Sequence, residues 1–143
     1  MRSSISVRTL WAALLSGHWP TLAGAWLHLT VSFMVWVLFG ALAVAIGEEL
    51  GLTATQQSVL VASPLLGGAL LRIAAGWACD WYGARRTGLL VLVLQLGAVV
   101  WAALGGRSYS ELLAIGLLLG AGGASFAVAM PVVSRAYPAT HQG

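Results

Sequence analysis

An arginine inside a long apolar segment is the first residue whose chemistry needs an explanation. Arg72 follows the run PLLGGALL at residues 64–71 and precedes mostly apolar residues as far as Cys79. If Asp80 marks a membrane surface, Arg72 lies roughly 12 Å deeper along a helix. The hydrocarbon core extends roughly 15 Å on each side of its midplane, so Arg72 is expected near the midplane. A charge there costs about 2.5–3.5 kcal/mol.

The sequence offers no carboxylate that could pair with Arg72 at this depth. Its four acidic residues stand at the ends of apolar segments: Glu48, Glu49, Asp80 and Glu111. The partner is therefore expected to be water, a backbone carbonyl, a group outside this chain or an anionic ligand. The planar fork of a guanidinium matches a planar oxyanion, which favours an anion site. The alternative is a structural arginine bonded to carbonyls or to a helix beyond this sequence.

The composition places the chain among membrane proteins. Of its 143 residues 59% are apolar and 8% charged, with a mean hydropathy of +0.90, whereas soluble domains carry about 25% charged residues. All seven basic residues are arginines, and they are too dispersed for a nucleic-acid surface. We find no metal-ligand cluster and no catalytic nucleophile, so we expect neither a cofactor nor an enzyme. The single cysteine, Cys79, is interpreted as a free thiol near the cytoplasm or simply a small buried residue.

The expected fold class is an all-α membrane protein with four transmembrane helices, because each apolar run is long enough to cross a bilayer. The helices are predicted at about residues 22–46, 57–79, 87–104 and 112–133, after a cytoplasmic or interfacial lead-in at residues 1–20. Short connections are predicted at residues 51–57, where a threonine would cap the second helix, at residues 80–86, and at residues 105–110, before Glu111 opens the fourth helix.

The arginines also predict an orientation. If the N-terminus is cytoplasmic, the outer loops carry only Arg107, and the cytoplasmic segments carry Arg2, Arg8, Arg85, Arg86 and Arg135. This excess agrees with the positive-inside rule. We therefore expect a multi-pass protein of the inner (plasma) membrane with a cytoplasmic N-terminus.

Small residues are predicted to set the helix packing. Gly68, Arg72, Gly76 and Asp80 are spaced by four, so they follow one face of the second helix. Glycines on that face would leave room for a ligand or for a neighbouring helix. Small residues four apart let transmembrane helices approach closely, and the glycines predicted to do so are Gly68, Gly116, Gly120 and Gly123.

The end of the second helix carries a family pattern. Gly76-x-x-x-Asp80-x-x-Gly83-x-Arg85-Arg86 resembles the loop between helices two and three of major facilitator transporters. The resemblance implies that these charges latch one conformation by binding a helix of the other half of the transporter. Trp81 and Ala84 stand where the family usually has basic residues, which implies a weaker latch; the alternative is that the charges signal topology only.

A narrower resemblance, to the nitrate/nitrite porter branch, is carried by three segments. They are VSFMVWVL at residues 31–38, PLLGGALLR at residues 64–72, and GAGGASFA at residues 120–127 with the tail at 138–143. The resemblance implies that Arg72 grips the anion and that Phe126 packs against the anion. From residue chemistry alone, Phe126 is a packing residue. Such transporters have twelve helices, so residues 21–143 are expected to be a partial N-terminal domain whose partners are the missing helices.

The leading hypothesis is therefore secondary transport of nitrate or nitrite, or a similar small anion, by alternating access in the lipid bilayer, with small-residue packing letting the helices rock. The alternatives are a major facilitator carrier of an organic anion, and a non-transporting four-helix subunit or remnant. His28 could couple protons or be an ordinary hydrogen-bonded histidine. The absence of acidic residues within the spans favours exchange over proton symport.

Overall fold

The computed structural model describes residues 17–105 and 108–136, which form helices and no strand. The helices are α1 (Trp19–Glu49), α2 (Ala54–Tyr82), α3 (Ala84–Leu104), α4 (Tyr109–Leu119) and α5 (Ala121–Ala136). Only Gly120 separates α4 from α5, and its backbone angles are near-helical, with φ −55° and ψ −20°. The two helices therefore form one fourth span, and residues 17–105 and 108–136 contain four helices that are long and apolar enough to cross a membrane. The prediction of an all-α protein with four such helices is confirmed.

The helices are apolar on all sides, as expected for segments that face lipid outside and other helices inside. Large apolar side chains point outward along every span, and Ile73 is 75% and Leu104 80% exposed. The fourth span is the exception, because 67% of its most apolar window is buried against 17–33% for the other three. It therefore forms the centre of the bundle, and α1, α2 and α3 all pack against it.

The buried side chains form two clusters along this central span. One cluster joins α1, α2 and α3 to α4 and consists of Phe39, Ala43, Leu60, Ala98, Leu112, Ile115 and Leu119. The other joins α2 and α3 to α5 and consists of Ala75, Cys79, Val91, Ala121, Ala124 and Val128. Cys79 is a free thiol buried in this second cluster.

Side-chain caps begin two of the helices. Thr53 Oγ1 accepts from the backbone N–H of Gln56, and the Gln56 side chain accepts from the backbone N–H of Thr53. Ser108 and Glu111 form the same reciprocal pair at the start of α4. These capping boxes satisfy donors that a helix start leaves unpaired, and the predicted threonine cap is Thr53.

The connections are shorter than predicted. Residues 80–86 do not form a loop: α2 runs to Tyr82, α3 begins at Ala84, and Gly83 alone joins them with φ +82°. The residues around Gly83 are compatible with helix, so only the glycine breaks it. The first helix begins at Trp19 rather than at residue 22, because Pro20 fits a first helical turn. Of the predicted lead-in, residues 1–16 lie outside the described residues.

Candidate functional site

α2 continues through a proline in its middle. Pro64 has no N–H, so the carbonyl of Leu60, one turn earlier, loses its usual helical partner. Ser63 Oγ donates a hydrogen bond of 2.8 Å to that carbonyl, and Ser63 is 2% exposed. The serine thus satisfies the acceptor that the proline leaves open. The Ser-Pro pair was visible in the sequence, but its role became clear only from this contact.

Main-chain atoms of α2 lie directly against the fourth span. A Cβ atom added at Gly67 would overlap the backbone of Leu117. A Cβ at Gly120 would overlap the backbone nitrogen of Gly68 and lie 2.6 Å from the carbonyl oxygen of Pro64. Helices come this close only where side chains are missing, so these glycines fix the distance between α2 and the central span. Gly67 was not among the glycines predicted to pack.

The remaining glycines predicted to pack lie at the same interface. A Cβ at Gly116 would overlap Ser63 Oγ and lie 2.9 Å from Phe39 Cε1. Gly123 has more room, since the nearest atom to its added Cβ would be Gly68 Cα at 3.5 Å, an ordinary contact. The spacing between the helices therefore widens from α4 towards α5.

Arg72 lies one helical turn after Gly68 on α2. It is 18 residues after Ala54 and 10 before Tyr82, which corresponds to about 27 Å and about 15 Å of helix. Its Nη2 donates a hydrogen bond of 3.0 Å to the carbonyl oxygen of Gly123. The residue is otherwise exposed, so a guanidinium with five N–H donors uses one of them on this carbonyl.

No acidic side chain of the chain lies near the middle of a span. Glu48 and Glu49 end α1, Asp80 is in the last turn of α2, and Glu111 is in the first turn of α4. Within residues 17–105 and 108–136, no group of His, Cys, Asp and Glu could hold a metal ion. The guanidinium of Arg72, about two thirds of the way along α2, is therefore a positive group without a carboxylate at its own level.

Phe126 lies one turn beyond Gly123 and is 46% exposed. It lines a groove of about 1040 Å³ whose other walls come from α1, including Trp26, Phe33 and Met34. Gly123 therefore meets Arg72 on the side of α2, whereas Phe126 faces the side of α1. The structure joins Arg72 to Gly123, and Phe126 lines the groove along α1.

The residues predicted to form a latch lie at the junction of α2 and α3. Asp80, Arg85 and Arg86 are exposed, and Gly83 forms the junction itself. A Cβ added at Gly76 would meet nothing within 4 Å. The face of α2 that contacts the fourth span at Gly68 is thus uncovered at Gly76. The exposed charges of Asp80, Arg85 and Arg86 lie beyond this uncovered part.

Gln95 carries a buried side-chain amide that was not predicted from the sequence. Gln95 Nε2 donates a hydrogen bond of 3.1 Å to the carbonyl oxygen of Ser32, and the two residues are 3% and 0% exposed. Gly122 packs on this bond, since its added Cβ would lie 2.5 Å from that oxygen. Gln95 is the only amide side chain between residues 87 and 104. A single amide in an apolar segment is a signal from which a buried hydrogen bond could have been predicted.

Comparison with known proteins agrees with this architecture. Residues 24–143 match the family model of the Major Facilitator Superfamily. The chain is 34% identical over 117 residues to the nitrite extrusion protein of Bacillus subtilis, covering 82% of this chain and 29% of that protein. It is 37% identical over 117 residues to the probable nitrate/nitrite antiporter NarK1 of Thermus thermophilus, covering 82% of this chain and 26% of the relative.

A third relative is the probable nitrate/nitrite transporter NarK2 of Mycobacterium tuberculosis, which is 37% identical over 116 residues, covering 79% of this chain and 29% of the relative. The chain spans less than a third of the length of these curated relatives. No solved structure matches it significantly. The family model covers most of the chain and its four apolar helices fit that family, so the chain belongs to the major facilitator superfamily.

Proposed function

We propose that this chain is part of a secondary transporter that moves nitrate or nitrite across the inner membrane by alternating access. The observation that carries the proposal is an arginine in the apolar interior of α2: Arg72 donates one hydrogen bond to the Gly123 carbonyl and is otherwise exposed. A guanidinium held in this way keeps most of its donor fork free for a planar oxyanion. The names of the relatives, which refer to nitrate and nitrite, support the same class of substrate.

The Gly123 carbonyl gives Arg72 a partner while no anion is bound. A charge near the bilayer midplane needs a compensating group, and a carbonyl dipole offsets only part of its cost. An anion would complete the compensation and would bring α2 and α5 to a common ligand. Phe126, which lies one turn beyond Gly123, is proposed to pack beside that anion once further helices close the groove along α1.

The charged junction between α2 and α3 is proposed to act as a conformational latch. Arg85 and Arg86 are the second and third residues of α3, where the positive end of the helix dipole disfavours cations. Their charges are thus unfavourable for α3 itself, which supports a role towards another segment. Asp80 and these arginines would bind a helix end of a further domain in one state and release it in the other.

The proposal is tested by flux measurements on the protein at its full natural length in proteoliposomes. Labelled nitrate should accumulate, and unlabelled nitrate or nitrite should compete with it more strongly than a small carboxylate does. Arg72→Gln should abolish the flux. Arg135→Gln, which removes the same charge from the exposed end of α5, should retain it.

Two outcomes would contradict the proposal. Carboxylate flux without nitrate flux would identify a carrier of organic anions, and the absence of flux for either anion in a correctly folded protein would favour a non-transporting membrane subunit. Nitrate flux that survives Arg72→Gln would remove Arg72 from the site.

A further inference from the structure

Three buried polar atoms of the bundle have no hydrogen-bond partner among the described residues. They are His28 Nε2, Ser32 Oγ and Ser125 Oγ, and both serines are 0% exposed. A buried polar atom without a partner costs about 1–3 kcal/mol, and such atoms are rare in folded proteins. Each of the three therefore needs an explanation.

Contacts of two glycines show that His28 and Ser32 face the same neighbours. A Cβ added at Gly122 of α5 would lie 2.5 Å from the carbonyl oxygen of Ser32. A Cβ added at Gly88 of α3 would lie 3.7 Å from His28 Cε1 and 3.2 Å from Val128 Cγ1 of α5. Along the bundle axis, Ser32 therefore lies at the same level as Gly122, and His28 lies at the same level as Val128.

Ser125 lies midway between these two levels. It is three residues after Gly122 and three before Val128 on α5, so its level falls between those of Ser32 and His28. His28 and Ser32 lie on one face of α1. Their levels on α5, at Val128 and Gly122, are about 9 Å apart, so Ser125 lies about 4.5 Å from each level. The three unpartnered atoms therefore belong to one short stretch of the α1–α3–α5 interface.

The neighbouring groups do not offer these atoms a partner. The two buried side-chain donors of α3 are already used: Gln95 Nε2 is bonded to the Ser32 carbonyl, and Thr87 Oγ1 to the Gly83 carbonyl. A serine hydroxyl in a helix can rotate towards the carbonyl one turn earlier. Nε2 of His28 cannot bond to a carbonyl of its own helix in this way, because it lies at the far end of the imidazole ring, away from the main chain.

We propose that this stretch is a hydration site, in which one buried water molecule bridges Ser32 Oγ and Ser125 Oγ and a second bridges Ser125 Oγ and His28 Nε2. A water bonded to two groups at roughly 2.8 Å from each spans up to roughly 5.6 Å, which is enough for the step of about 4.5 Å from Ser125 to either level. Buried waters typically make about three hydrogen bonds to polar groups that are otherwise unsatisfied. The site is separate from Arg72, and the proposal does not depend on which substrate the protein moves.

A structure that resolves ordered waters tests the site directly. Density is expected within hydrogen-bonding distance of His28 Nε2 and of both hydroxyls. Its absence would overturn the proposal, because the hydroxyls would then be either dry or bonded to their own helices.

Thermal unfolding of serine variants gives an independent test. Ser32→Ala and Ser125→Ala should each lower the melting temperature by about 2–4 °C, because each removes a hydrogen-bond partner of the water molecule between the two hydroxyls. The double variant should lose less than the sum, since both changes act on the same molecule. Ser58→Ala serves as control, because its exposed hydroxyl bonds the Ala54 carbonyl of its own helix. Unchanged or higher melting temperatures of the two buried variants would overturn the proposal, because removing a dry hydroxyl is neutral or stabilising.

Discussion

Arg72 of α2 and Gly123 of α5 are joined by a hydrogen bond of 3.0 Å from Nη2 to the carbonyl oxygen. The bond places the one cation of α2 against the main chain of the central span. It links the helix that carries the charge to the helix that carries Phe126. A backbone carbonyl can accept from any donor of suitable reach, so the bond alone does not require an arginine. The shape of the guanidinium matters only if a second, planar partner is present.

Arg72→Lys tests whether the donor fork is needed. Lysine keeps the charge but loses bidentate geometry, so we expect nitrate affinity to fall by about 10-fold or more, equivalent to about 1.4 kcal/mol. Competition by unlabelled nitrate in proteoliposomes measures this. Arg135→Lys is the matched control, since Arg135 is exposed near the end of α5. Full affinity in Arg72→Lys would mean that only the charge is used.

Gly120→Ala tests the main-chain contact between α2 and the central span. The added methyl would lie 2.6 Å from both the Gly67 carbonyl carbon and the Pro64 oxygen, and backbone atoms cannot move aside cheaply. We expect the free energy of unfolding to fall by about 1–3 kcal/mol. The control is Gly97→Ala in α3, where an added Cβ meets nothing within 4 Å. Equal stability of the two variants in detergent would contradict the close approach.

Ser63→Ala tests the hydroxyl that replaces the N–H missing at Pro64. The Leu60 carbonyl would be left buried and unpaired, which should cost about 1–3 kcal/mol of stability. In a Pro64→Ala background the backbone N–H of residue 64 can bond that carbonyl, so the cost of Ser63→Ala should shrink. Unfolding of the four variants of this cycle is the measurement. An unchanged cost in both backgrounds would assign the serine a different role.

Asp80→Asn tests the proposed latch. The change removes the charge but keeps the shape, so nitrate affinity should be unchanged while the rate of flux falls. Glu48→Gln is the control, since Glu48 is also exposed near a helix end, at the end of α1. A loss of affinity equal to the loss of rate would show that Asp80 acts on the binding site instead.

The predicted orientation can be tested by labelling single cysteines in intact cells. Leu50→Cys lies between α1 and α2 and should react with a membrane-impermeant maleimide from outside. Arg86→Cys lies at the start of α3 and should react only after the cells are made permeable. Cys79 is buried, so the parent protein provides the background signal. The reverse pattern would place the N-terminus outside.

The sequence predicted the four spans because an apolar run of membrane length is a local signal. It could not predict the contact of Gly67 with Leu117, because any of several glycines could meet any neighbouring helix. The Gly123 carbonyl could not be predicted as the partner of Arg72 either, because every residue has a backbone carbonyl and the sequence does not distinguish one from another. The loop expected at residues 80–86 was wrong because polar and charged residues extend a helix as readily as they end it; only Gly83, with φ +82°, interrupts the chain there.

The contact between α2 and the fourth span has a mechanical consequence. It is made by main-chain atoms around Gly67, Gly68 and Gly120, and main-chain atoms have no rotamers to exchange. Helices that meet through side chains can adjust by switching those rotamers in small steps, whereas a main-chain contact cannot adjust in that way. We therefore expect α2 and the fourth span to turn together, as one rigid unit, in any motion that displaces Arg72.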